Sequence, residues 1–337
     1  MSSICARIVI VAFQSGEHLQ VCIDKLASQS IRNFEAVIVN NDCPDDCTAA
    51  LKLPDDRFRV LHAPENLGFA GGSNFGAKDA TAGWIITLNP DAWPQTRWLE
   101  RLMSAGETHP KATMLSSTLL KSESPDIVDG FGDAYSIFGI AWRGGHNSQT
   151  ASLPATDMSV FGPCGAAAAY RKEAFEAVGG FDRKFFCYLE DVDLAIRLRR
   201  QGGSCIQVRQ AEVLHYGAGS TGKESDFQYF QTYKNNLRMI IKTAPLAILP
   251  LQLAAYLLSQ SYILFRNRKN KGASARLSGL KEGIRRIPQA FRDRAETQRH
   301  FTSGSLSFAR KIAWHPAKVS ELAILCWPTN GSRKPKF

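Results

Sequence analysis

The sequence predicts an α/β fold built on an open sheet with parallel strands. Short, continuous, β-branched runs such as Ile8–Phe13 are typical of strands that are buried on both faces. Segments with apolar residues at helical spacing separate these runs, and such alternation indicates a parallel sheet. Polar residues follow the runs at their carboxyl ends, where sheets of this kind bind their ligands.

Four strands and four helices follow from these patterns. The strands are predicted at Ile8–Phe13, Phe34–Val39, Arg57–His62 and Trp84–Leu88. The helices are predicted at Leu19–Leu26, Asn74–Ala80, Glu173–Val178 and Asp191–Gln201. Residues 121–160 are rich in Ser, Gly and Asp, and we expect loops or a short hairpin there.

Charge divides the 337-residue chain into two parts. Residues 226–337 carry 20 Lys and Arg against 5 Asp and Glu, a net +15, whereas residues 1–225 carry a net −5. A basic segment binds nucleic acid or an anionic membrane. This one contains long apolar runs and no nucleic-acid motif, so we expect a membrane surface and no nucleic acid.

The 22 residues Ala244–Phe265 carry no charge and are long enough to cross a bilayer. Two prolines weaken them as a span, and basic residues on both sides give no orientation. The pattern favours a helix in the membrane interface, or a re-entrant hairpin, over a true span. Residues 276–299 form a basic amphipathic stretch, which is either a packed C-terminal helix or a second membrane-surface helix.

The N-terminal apolar run is too short for a signal peptide, and the eight cysteines are scattered. Both observations predict reduced thiols in a cytoplasmic protein. Together with the basic segment, they place the protein at the cytosolic face of the inner membrane.

Carboxylates beside apolar runs are the candidate functional residues. Asn89-Pro90-Asp91 follows a predicted strand, where an aspartate holds Mg²⁺ or Mn²⁺ or simply ends the strand in a turn. Glu190-Asp191 follows another apolar run, and only one of two adjacent side chains is expected to face a substrate. His215 is a candidate metal ligand. The glycine-rich segment Asn66–Gly76 is either a phosphate-binding loop ahead of a helix or an ordinary turn.

The chain resembles the family 2 glycosyltransferases, in particular the bacterial rhamnosyltransferase-like branch, at motifs that occur in the family's order. The motifs are Ile8–Phe13, Asn66–Gly76, Asn89-Pro90-Asp91-Ala92, Gly179-Gly180-Phe181-Asp182, Phe186–Leu194, and His215 with Gly217 and Ser220. The resemblance implies a GT-A fold, a Rossmann-like mixed sheet with helices on both faces, as a catalytic domain over residues 1–240. A basic, apolar, membrane-associating helical tail over residues 241–337 would follow it.

The resemblance also implies the reaction and the roles of the residues. A sugar, with rhamnose among the candidates, would pass with inversion from a nucleotide-diphosphate sugar to a hydroxyl of a glycan or lipid-linked saccharide, in surface polysaccharide synthesis. Asp191 matches the catalytic base, with Glu190 beside it, while Asp91 and His215 match contacts to Mg²⁺ or Mn²⁺. The implied donor contacts are Phe13, Asn40, Asn66, Gly68, Gly71, Asn74 and Asn89.

Three positions depart from the family's pattern. Asn40 and Asn89 stand where acids are usual, and Arg183 replaces an acid that often follows Phe-Asp. Asn89 is common in this branch of the family, whereas Asn40 and Arg183 leave open a degenerate, sugar-nucleotide-binding membrane protein, although Asp91, Asp191 and His215 are all retained. A sugar-phosphate nucleotidyltransferase is a second alternative, but it would need a Lys or Arg within Asn66–Gly76, which has neither.

Overall fold

The computed structural model describes residues 4–44, 46–217 and 225–329. Ser220 of the late motif lies outside these residues. The described strands are β1 (Ala6–Ala12), β2 (Phe34–Asn40), β3 (Phe58–His62), β4 (Trp84–Leu88), β5 (Ala92–Pro94), β6 (Met114–Lys121), β7 (Ser124–Phe131), β8 (Asp133–Tyr135), β9 (Ala141–Arg143), β10 (Met158–Val160), β11 (Ala167–Arg171), β12 (Cys205–His215) and β13 (Cys326–Pro328).

The described α-helices lie between these strands and in the C-terminal third. They are α1 (His18–Ala27), α2 (Gly68–Ala77), α3 (Trp98–Thr108), α4 (Lys172–Ala177), α5 (Glu190–Arg200), α6 (Asp226–Thr243), α7 (Leu249–Arg266), α8 (Ala273–Arg285), α9 (Ile287–Arg299), α10 (Ser305–Ala309) and α11 (Pro316–Ser320).

One mixed sheet of eleven strands organises the described residues. Its order is β13-β10-β12-β6-β11-β4-β1-β2-β3, with β5 paired to β12 and β7 to β6. The half formed by β4, β1, β2 and β3 is parallel, as the sequence predicts. Strand β11 then runs antiparallel to both β4 and β6. This reversal brings the start of β11 to the edge of the sheet where β4 ends.

Helices cover both faces of the sheet. Ile8 and Ile10 of β1 pack in the core that contains α1 and α3. Val9 and Val11 point the other way, into the core that contains α2, α4 and α5. Alternate residues of a strand point to opposite faces, so a continuous apolar strand serves two layers. The four predicted strands are confirmed to within two residues.

The glycine-rich segment is a helix, so the prediction of a loop ahead of a helix at Asn74–Ala80 is wrong. Helix α2 begins at Gly68 and ends at Ala77. A Cβ on Gly72 would lie 2.8 Å from Val11. The missing side chains therefore let α2 pack closely on β1, although glycine is a poor helix former.

Two further segments differ from expectation. Residues 121–160 contain all of β7, β8, β9 and β10. Strands β8 and β9 form a short hairpin, which was one of the two expectations, but β7 and β10 join the main sheet. Residues 276–299 form two helices instead of one, because α8 ends at Arg285 and α9 begins at Ile287. Pro288 lies in the first turn of α9, where its missing N–H costs no hydrogen bond.

The C-terminal third packs on the sheet and its helices. Helix α6 runs through the predicted 240/241 boundary, and α8 and α9 pack against it. The predicted helical tail also supplies a strand, because β13 pairs with β10 at the edge of the sheet. Within the described ranges, none of the helices has the length and apolarity needed to cross a membrane.

Candidate active site

Two strand pairings bring Asp91 and His215 together. Asp91 lies between β4 and β5, and β5 pairs with the end of β12 so that Ala92 is opposite His215. The Tyr216 N–H donates to the Asp91 carbonyl at 2.9 Å. The two side chains are buried, and His215 Nε2 lies 3.6 Å from Asp91 Oδ1. The structure thus joins two predicted metal contacts that are far apart in the sequence.

Asp129, which the sequence analysis missed, orients His215. Its Oδ2 lies 2.7 Å from His215 Nδ1, and Arg143 pairs with the same carboxylate. Burial opposes the charge of Asp129, but hydrogen bonds from His146 and His215 and the charge of Arg143 hold its pKa below the usual range. Burial also disfavours the charged form of His215 and so lowers its pKa. The Asp129 and Asp91 carboxylates outweigh this effect, and the pKa of His215 is raised overall.

The Asp91–His215 pair fits a divalent cation. With Nδ1 held by Asp129, His215 Nε2 is buried and has no hydrogen-bond partner among the described residues. It points toward a buried carboxylate, and an imidazole nitrogen with a carboxylate oxygen is a donor set for Mn²⁺ or Mg²⁺. A carboxylate behind a ligating histidine is also typical of metal sites.

Asp191 lies in the first turn of α5 and is fixed by backbone groups. Its Oδ2 accepts the Gly165 N–H at 2.9 Å, and its Oδ1 accepts the Val192 N–H at 2.8 Å. Gly165 immediately precedes Ala166, whose carbonyl accepts the Asn89 N–H at 2.8 Å. Asp191 therefore lies at the same edge of the sheet as Asp91. Burial raises its pKa, and the backbone hydrogen bonds only partly offset this.

A strained turn leads into α5. Phe186, Tyr188 and Leu189 have φ values of 66°, 69° and 70°, which non-glycine residues rarely adopt. Asn235 of α6 holds this turn, with Nδ2 at 2.8–2.9 Å from the carbonyls of Phe185, Cys187 and Tyr188. The sequence analysis missed Asn235, which resembles any polar residue of an amphipathic helix.

Two more acids surround Asp191. Single ligand atoms of Asp133, Cys164 and Asp191 lie within 4.8 Å of one another. Asp133 Oδ1 and Glu190 Oε2 are buried without a hydrogen-bond partner in the described structure. Burial, reinforced by the Asp191 charge, raises the pKa of both acids well above the usual range. Asp193, by contrast, is fully buried and paired with Arg197 at 2.7 Å and Lys242 at 2.6 Å.

The predicted donor contacts are held mainly by hydrogen bonds within the protein. Asn40 Nδ2 donates to Asp46 and Thr48, and its Oδ1 accepts the Cys43 N–H. Asn66 Oδ1 accepts the Gly68 N–H at 3.0 Å at the start of α2.

The remaining donor contacts lie on α2 and at strand ends. Gly71 and Asn74 lie within α2, and the Asn74 amide exchanges two hydrogen bonds with the Phe181 backbone. The Ala70 N–H donates to the Phe186 carbonyl, which joins α2 to the turn before Asp191. Half-buried Phe13 and Asn89 directly follow β1 and β4, at the same edge as Asp91.

Comparison with known sequences gives one family and several distant relatives. The sequence model described as glycosyl transferase family 2 matches residues 7–179. An N-acetylglucosaminyl-diphospho-decaprenol L-rhamnosyltransferase of Mycobacterium tuberculosis is 27% identical over 242 residues, which cover 64% of this chain and 78% of that protein.

Two solved structures share the fold. The crystal structure of GalNAc-T7 with UDP, GalNAc and Mn²⁺ aligns at a TM-score of 0.60 and 15% identity, over 86% of this chain and 57% of that one. Mannosyltransferase PcManGT from Pyrobaculum calidifontis, in complex with GDP-Man and Mn²⁺, aligns at 0.52 and 14% identity, over 91% and 86% of the two chains. The predicted GT-A architecture is confirmed.

Proposed function

We infer the function of this chain from its family: it belongs to glycosyl transferase family 2 and is a glycosyltransferase with a GT-A fold. We propose that it moves a sugar from a nucleotide-diphosphate sugar to a hydroxyl of a glycan or lipid-linked saccharide, in bacterial surface polysaccharide synthesis. The rhamnosyltransferase that it resembles supports rhamnose and a lipid-linked acceptor as the first candidates. The observation that carries the proposal is the position of the Asp91–His215 pair and Asp191 at one edge of the sheet.

The roles of the side chains follow from their surroundings. Asp191 takes the proton of the acceptor hydroxyl, because its raised pKa makes it a stronger base than an exposed aspartate. The Gly165 and Val192 N–H groups fix the orientation of its carboxylate. Asp91 and His215 would hold Mg²⁺ or Mn²⁺. The bound metal would neutralise negative charge on the donor diphosphate. The acceptor oxygen attacks the anomeric carbon directly, so the configuration inverts.

The proposal is tested with a panel of nucleotide sugars, read first by thermal shift and then by transfer to an acceptor. Asp191→Asn keeps the shape of the side chain and removes its basicity. We expect kcat to fall by about 10²–10⁴-fold while donor binding remains. Asp126→Asn, at an exposed position of β7, is the matched control and should behave as wild type. Turnover by Asp191→Asn at the wild-type rate would remove Asp191 as the base.

The metal requirement needs its own measurement. Asp91→Ala should weaken Mn²⁺ binding and, with it, binding of the nucleotide diphosphate. Full transfer activity in excess chelator would contradict the metal role of Asp91 and His215 while leaving the base untouched.

We propose further that α7 rests on the cytosolic membrane surface. One face of α7 is buried through Gln252, Tyr256 and Gln260. The other exposes a stripe of large apolar side chains, in which Leu258 is 74% exposed and Tyr262 63% exposed. Arg266 ends α7 and Arg268, Lys269 and Lys271 follow it, and such basic residues attract anionic lipid.

Sedimentation with vesicles tests the membrane proposal. The protein should bind anionic vesicles better than neutral ones, and high salt should release only part of it. Leu258→Glu combined with Tyr262→Glu should abolish most of the binding. Leu53→Glu, at a 40% exposed site in the acidic half of the chain, is the control. Equal binding of the double variant and wild type would show that α7 is not the contact.

A further inference from the structure

A cavity of about 180 Å³ lies at the opposite end of α5 from Asp191. Arg199, Arg200 and Lys311 line it, together with Ser204, Ser303 and Ser307. Arg200 lies nine positions after Asp191, which corresponds to about 14 Å along the helix. The cavity is therefore separate from the candidate active site, and it joins α5 to the segment around α10.

The positive charge at this cavity is uncompensated. Among the described residues, no aspartate or glutamate forms an ion pair with Arg199, Arg200 or Lys311, and none affects the pKa of these three groups. Arg199 donates instead to the Val160 and Phe161 carbonyls, and Arg200 to the Ser303 carbonyl. Carbonyls satisfy hydrogen-bond donors but leave the net charge in place. Buried cations are ordinarily matched by an anion, because desolvating an unmatched charge is costly.

The pKa values of all three cations are lowered, as expected for buried cations without a paired acid. Burial lowers the pKa of Arg199 to about 10. Burial, together with the neighbouring Arg294, lowers the pKa of Arg200. Burial, together with Arg199, lowers the pKa of Lys311. Burial is the main cause at all three groups, Arg199 adds to it at Lys311, and no acid of the described residues offsets it.

One donor at the cavity has no partner. Arg200 is only 7% exposed, and its Nε is buried without a hydrogen bond to any described residue. Four serines, Ser159, Ser204, Ser303 and Ser307, line the same space. Guanidinium, ammonium and hydroxyl donors around one small cavity suit a tetrahedral oxyanion, which offers several acceptor oxygens at once. A phosphate monoester carries about two negative charges and so offsets more of this charge than a carboxylate does.

We propose that this cavity binds a phosphate group, either free phosphate or the headgroup of a phospholipid. The bound group would offset about two of the three positive charges of Arg199, Arg200 and Lys311 and tie the α10 segment to the end of α5. It would therefore stabilise the contact between the C-terminal third and the helix that carries Asp191.

The experiment is a thermal unfolding series on the full chain, without divalent metal and with chelator. Inorganic phosphate, compared with chloride at equal ionic strength, should raise Tm by at least about 3 °C at saturation. Lys311→Gln should remove most of the rise, and Arg200→Gln should do the same if it folds. Lys318→Gln, on the exposed surface of α11, should keep the full rise. Repeating the series in Asp91→Ala removes any contribution from the candidate active site.

Two further arms distinguish the sources of the phosphate. Glycerol phosphate and vesicles of phosphatidic acid are compared with inorganic phosphate in wild type and in Lys311→Gln. A Lys311-dependent response to glycerol phosphate and vesicles, stronger than that to inorganic phosphate, identifies a headgroup site. The reverse order identifies a site for free phosphate. A rise that Lys311→Gln retains, or that chloride reproduces, overturns the proposal.

Discussion

Replacing Asn235 should destabilise the turn that positions Asp191. Asn235 is 1% exposed, and its Nδ2 contacts three carbonyls of the turn. Asn235→Ala removes about two net hydrogen bonds and leaves buried carbonyls unpaired, which should cost about 2–4 kcal/mol in the free energy of unfolding. The turn contains three residues at positive φ, a conformation that persists only while the surrounding structure enforces it.

The activity should fall along with the stability. Helix α5 begins at Glu190, directly after the strained Leu189, so a relaxed turn displaces the first helical turn and Asp191 with it. A displacement near 1 Å should lower kcat by about 10–100-fold. Urea unfolding gives the stability, and transfer assays at saturating donor and acceptor give kcat.

Two companion variants make the reasoning refutable. Asn235→Asp keeps the shape but presents a carboxylate to three carbonyls, so it should be at least as damaging as Asn235→Ala. Asn236→Ala alters the next buried residue of α6, which is 7% exposed. It should lower stability without changing kcat. A kcat for Asn235→Ala within about twofold of wild type would show that the turn holds Asp191 without this amide.

Three other predictions follow from the buried charges. Burial raises the pKa of Asp191, so kcat/KM should fall on the acid side at a higher pH than an ordinary aspartate, near 3.9, would give; a pH–rate profile measures this. Asp129→Asn should weaken Mn²⁺ binding by about 10–100-fold in electron paramagnetic resonance titrations, whereas exposed Asp126→Asn should not. Lys242→Met should cost about 3–5 kcal/mol in urea unfolding, because it leaves Asp193 with one of its two cationic partners.

The parts of the site that depend on local sequence were predictable. Asp91 follows the apolar run that forms β4, and Asp191 follows another apolar run and lies in the first turn of α5. The order of these residues and His215 along the chain matches the family. The four early strands are continuous β-branched or aromatic runs, which few other structures accommodate. The predicted alternation also located the edge of the sheet where these residues meet.

The two residues that were missed, Asp129 and Asn235, make contacts with residues that are far away in the sequence. Asp129 and His215 are 86 positions apart, and Asn235 lies 47 to 50 positions from the carbonyls that it binds. Nothing in the residues around either one indicates burial, because an acid in a strand and an amide in an amphipathic helix are ordinary at the surface. The start of α2 was predicted wrongly for a different reason. Its glycines allow close packing on β1, whereas helix propensity alone assigns glycines to a loop.

The same buried charges connect the C-terminal third to the catalytic helix. Lys242 of α6 bridges Asp182 and Asp193 at 2.7 and 2.6 Å, and Asp193 lies two residues after Asp191. Because breaking such a pair leaves a buried charge unmatched, α5 and α6 are expected to move as one unit. Helix α7 begins six residues after α6 ends, at Leu249. If α7 rests on the membrane as proposed, this linkage sets the orientation of Asp191 toward the surface that carries a lipid-linked acceptor.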